Sequence, residues 1–68
     1  MDELIKDIVI RILENNRELG SLSGDFAKGK RLACYKILDL INSRLEILGN
    51  NPSSFGIKDD PFKLINLN

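Results

Sequence analysis

Cys34 is the one strong nucleophile in this sequence, and the sequence contains no histidine to act as its base. A catalytic thiol needs a base or positive surroundings to become thiolate. Lys30 and Arg31 are near in sequence. Cys34 itself falls on an apolar helical stripe, where cysteine behaves as a small buried hydrophobe. The carboxylates make no stronger case. Asp39 and Glu46 share a helix face at about 10 Å along the axis, and nothing nearby supplies the cleft that an acid–base pair requires. One thiol and no imidazole leave zinc without its usual ligands and rule out an internal disulfide. The chain reads as a non-enzyme with no cofactor and no metal.

Lys28, Lys30, Arg31 and Lys36 cluster at the start of a helical stretch. Lys28 and Arg31 lie on one face, which suits phosphate contacts, so a small dimeric nucleic-acid-binding regulator is the alternative reading. A helix-turn-helix would need a tighter turn and a third core helix. Ten basic and ten acidic residues cancel, so the broad positive field behind non-specific nucleic-acid binding is missing. The 43% hydrophobic and 29% charged content fits an ordered globular domain. No apolar run is long enough to span a bilayer, and the N-terminal charges do not fit a signal peptide, so a cytoplasmic location is expected.

The elements that must position these groups are helical. Leu4, Ile5, Ile8, Val9, Ile12 and Leu13 recur at helical spacing behind acidic Asp2 and Glu3, predicting a helix over about 2–18. Gly20 suits a left-handed helix end, Ser23 an N-cap, and Asp25 the first turn of a second helix over about 25–48. On this helix Cys34, Leu38, Ile41, Leu45 and Leu48 follow one another at intervals of 4, 3, 4 and 3, the pattern of a packing seam. Gly29 and Ala33 form a small-xxx-small step that would admit a second helix closely. Gly49, Asn50, Asn51 and Pro52 end the helix.

The remaining segment, 50–68, is apolar, with Phe55, Ile57, Phe62, Leu64, Ile65 and Leu67. Asp60-Pro61 reads as an N-cap followed by proline at the first helical position, predicting a short helical turn near 61–65.

The stretch Asp25-Phe26-Ala27-Lys28-Gly29-Lys30, with Ala33, Tyr35, Leu38, Asp39 and Ile41 after it, resembles very small helical accessory proteins of Gram-positive bacteria and their phages. The resemblance implies a protein that acts through contacts, such as an inhibitor, an anti-defence factor or an immunity-type partner.

A chain of 68 residues is one domain, and at this size only about 60% of the unfolded surface becomes buried, so a partner subunit is a natural source of stability. The expected architecture is all-α: an antiparallel helical hairpin with an apolar C-terminal tail, assembling into a dimer or higher bundle. Gly29, Ala33, Cys34, Leu38, Ile41, Leu45 and Leu48 are the expected oligomer interface. Phe55, Phe62, Ile65 and Leu67 are the expected anchors for a larger protein that this module binds and modulates, with inhibition the leading mode.

Overall fold

The computed structural model describes residues 2–66. Two long helices, α1 (Asp2–Leu19) and α2 (Asp25–Ile47), are followed by a 3₁₀ turn (Pro52–Phe55) and a short helix, α3 (Pro61–Ile65). There is no strand among the described residues. The long helices pack as a hairpin, and the 3₁₀ turn and α3 return across them. α1 carries more acids than bases and α2 the reverse, a net −2 against +2, which mildly favours their pairing.

Each helix end has a local cause. Gly20 adopts φ +54°, and its N–H donates to the Arg17 carbonyl at 2.9 Å. At the far end of α2, Gly49 has φ +80°. The Asn50 N–H donates to Leu45 O at 2.8 Å and the Gly49 N–H to Glu46 O at 3.0 Å, the paired bonds of a Schellman end. Asp60 accepts from the Phe62 N–H at 2.8 Å, with Pro61 at the first helical position of α3. The N-cap expected at Ser23 needs correcting. Gly24 takes that position at φ +103°, and no side chain caps the helix. That backbone conformation is open to glycine at little cost and closed to serine, so the entry to α2 is set by backbone freedom.

The core is built from three parts of the chain: Val9 and Ile12 from α1, Leu38 and Leu45 from α2, and Phe55, Ile57 and Ile65 from the returning segment. A Cβ at Gly56 would lie 3.5 Å from Val9 Cγ1, so the return lies close against α1. The Asn16 amide donates to the Ile65 carbonyl at 3.4 Å and ties the end of α3 to α1.

This packing changes the reading of the 4-3 seam. Leu38 and Leu45 are buried inside their own chain, and Cys34 and Ile41 are half-buried against the same core. Of the five, only Leu48 stands out, at 75% exposed. The seam expected to hold two chains together is in the main the one that closes the monomer, because the return segment completes a core that α1 alone would leave open.

Candidate interaction surface

The return segment covers one side of the hairpin, and the opposite side carries no cover among the described residues. On α2 that side begins at Phe26, 78% exposed, and continues through Ala33, Ile37 and Leu40 to Ile47, 73% exposed. Lys30 and Arg44 complete the row, so the seven positions from Phe26 to Ile47 are spaced 4, 3, 4, 3, 4 and 3. This is a second heptad-like row, rotated about a third of a turn from the buried one. Leu4 and Ile8 of α1 are exposed as well. Ile8 joins Leu40, Arg44, Leu45 and Leu48 around a groove of about 250 Å³ between the two helices. Apart from the Arg44 side chain, the groove is lined by aliphatic residues.

Gly29 and Ala33 lie toward this outer side, and among the described residues no atom outside its own helical turn comes within 4 Å of a Cβ added at Gly29. No helix of the same chain uses the small-residue step. Of the expected interface set, Gly29, Ala33 and Leu48 are therefore available to another molecule, while Leu38 and Leu45 are not.

The expected partner anchors divide in the same way. Phe55, 6% exposed, and Ile65, fully buried, are core residues and cannot reach a partner from this fold. Phe62 is half-exposed and meets Tyr35 edge-on, with ring centroids 5.9 Å apart and planes at 90°. Leu67 lies outside the described residues. The sequence leaves open whether the tail wraps across its own bundle or a neighbour's; the described part of it lies on the helices of its own chain.

The basic cluster is also separated. The Arg31 guanidinium donates to the carbonyls of Gly20 at 3.0 Å and Leu22 at 2.6 Å, holding the loop between the long helices. Lys30 Nζ sits 5.6 Å from the centre of the Phe26 ring. Lys28 and Lys36 are exposed, and with Arg31 turned to the loop and Lys30 beside the Phe26 ring the four cations are engaged differently.

A second hollow, of about 410 Å³, opens where the end of α1, the loop and α3 meet, lined in part by Asn16, Arg17, Ser21 and Arg31. Asn16 Oδ1 is buried there with no donor among the described residues. Arg31 is already engaged by the loop carbonyls, and among the described residues the hollow offers the Ser21 hydroxyl with no carboxylate or imidazole beside it to act as its base. No group of three or more metal-ligating side chains occurs among the described residues, and no helix among them is long and apolar enough to cross a membrane.

Comparison with known protein families, curated proteins and solved structures finds no match.

Proposed function

We propose that the chain is a non-catalytic protein-interaction module that binds a larger cytoplasmic protein through the open face of the α1–α2 hairpin and modulates it, inhibition being the leading mode. The observation that carries the reading is the outer row from Phe26 to Ile47, apolar at all positions but Lys30 and Arg44 and joined by Leu4, Ile8 and Leu48. Monomeric proteins rarely leave an apolar patch larger than a few hundred Å² in water, and larger ones mark contact surfaces. Amphipathic helices and helix-lined grooves recognise one another through such rows. The resemblance to small accessory proteins of Gram-positive bacteria and their phages points to the same class of action.

The test is affinity capture from the source cell with the wild-type chain and with Leu40→Lys, read by quantitative mass spectrometry. One protein recovered in near-stoichiometric amount with wild type and lost with the variant is the expected result. Equal recovery with both would overturn the role of this face. The nucleic-acid alternative has less support, because Arg31 is held by the loop. A gel shift with generic DNA and RNA at low and high salt checks it, and salt-sensitive binding would restore it.

A further inference from the structure

We propose that the open face is self-complementary and that its occupant in the free protein is a second copy of this chain, with the two α2 helices antiparallel. This rests on the reading of the face as a contact surface and names what covers it before a target arrives.

Three observations converge. The first is area. The seven large apolar side chains of the face are roughly two-fifths to three-quarters exposed. Together they present on the order of 700–800 Å², against the roughly 800 Å² that each partner brings to a standard interface. The second is period. A 4-3 spacing held over three heptads is the condition for two helices to stay in register along their length, whereas a groove for an irregular peptide imposes no such repeat. The third is shape. The most prominent ring, Phe26, and the groove beside Arg44 lie on the same face and equally far from Tyr35, nine residues to either side.

An antiparallel two-fold centred there brings Ala33 of one copy against Ile37 of the other. Each Phe26 then falls over the other copy's Arg44 and its groove, where the guanidinium can lie on the ring face. Lys30 meets Leu40 through its aliphatic stem, so the two cations of the row are not placed directly opposite each other. Gly29 and Ala33 let the backbones approach. A two-fold interface must be built in this manner, with a projection and its receptacle on one patch. Because the same face serves target and second copy, dimer formation and target binding compete.

The experiment is sedimentation equilibrium on the full chain from micromolar to millimolar concentration, with circular dichroism on the same samples. Wild type is expected to give a dimer mass that dissociates on dilution. Ile37→Lys and Leu40→Lys are each expected to raise the dissociation constant by more than about tenfold with helicity unchanged, since both residues are exposed in the folded chain. A monomer mass throughout, or a dimer that both variants leave intact, would overturn the proposal. Orientation is read by disulfide trapping in a Cys34→Ser background. A mixture of Phe26→Cys and Arg44→Cys chains should cross-link faster than either chain alone, and like-with-like cross-links would overturn the antiparallel pairing. The two readings fail separately. A monomeric wild type that still loses target capture through Leu40→Lys removes the second copy only. A dimer whose target capture is indifferent to that substitution removes the target reading only.

Discussion

Arg31 reaches back from the second turn of α2 to donate to the Leu22 carbonyl at 2.6 Å. With its bond to Gly20 O at 3.0 Å, this makes one side chain the brace for the turn between the two long helices. Charge-assisted bonds of this kind are stronger than neutral ones, although here they lie at the surface.

Arg31→Ala should therefore lower stability by about 1–2 kcal/mol, a fall of several degrees in Tm for a domain of this size. Both bonds leave the one nitrogen Nη2, so Arg31→Lys should recover part of the loss, limited by the different length and greater freedom of the ammonium stem. Thermal unfolding by circular dichroism measures both. Equal stability of all three proteins would show that the brace contributes nothing.

The two leucines of the sequence seam that differ most in burial should part company. Leu38→Ala should cost about 2–5 kcal/mol, since Leu38 is fully enclosed. Leu48→Ala, at an exposed position, should stay within about 0.5 kcal/mol. Urea unfolding at a concentration where the protein is monomeric separates the two. Comparable losses would mean that Leu48 is buried in solution.

Phe55→Ala should destabilise by about 3–5 kcal/mol, because the ring is part of the core that Val9, Leu38 and Ile57 share. The loss should appear in the free protein, with no target present. A stable Phe55→Ala variant that fails only in target capture would return Phe55 to the role of an anchor.

Cys34 should be structural. Cys34→Ala should keep target capture and lower stability modestly, and the native thiol, half-buried, should alkylate more slowly than in urea-unfolded protein. Alkylation at the unfolded rate would contradict its packing. Loss of function with the fold intact would reopen a reactive role.

What could be read in the sequence was what local chemistry decides. Gly20, Gly49 and the Asp60-Pro61 pair each mark an element end through the residue's own conformational limits, and both long helices announce themselves by period. Ser23 misled because a good capping side chain says nothing about whether the preceding backbone admits it; Gly24 decided the entry. The turn at Pro52–Phe55 carried the same kind of signature as Asp60-Pro61. Asn51 caps it, accepting from the Ser53 N–H at 3.1 Å, yet Asn51-Pro52 was read only as a helix stop. The occupant of the inner row on α2 is not legible in the sequence. The rows through Leu38 and through Leu40 have the same spacing, but only the second carries charges, Lys30 and Arg44, so the inner row itself is legible and what stays hidden is that residues 52–65 of the same chain cover it.

That path has a consequence for the order of events during synthesis. The Asn16 side chain bonds to the carbonyl of Ile65, 49 residues later, and Val9 lies against Gly56. As the chain leaves the ribosome, α1 and α2 can pair, but the hairpin must wait with both of its greasy sides bare until residues 52–65 have emerged and docked. Non-local closure of this kind is slow relative to helix formation. The interval before it is when the chain is most exposed to chaperones, to proteases and to capture by its neighbours on the same polysome.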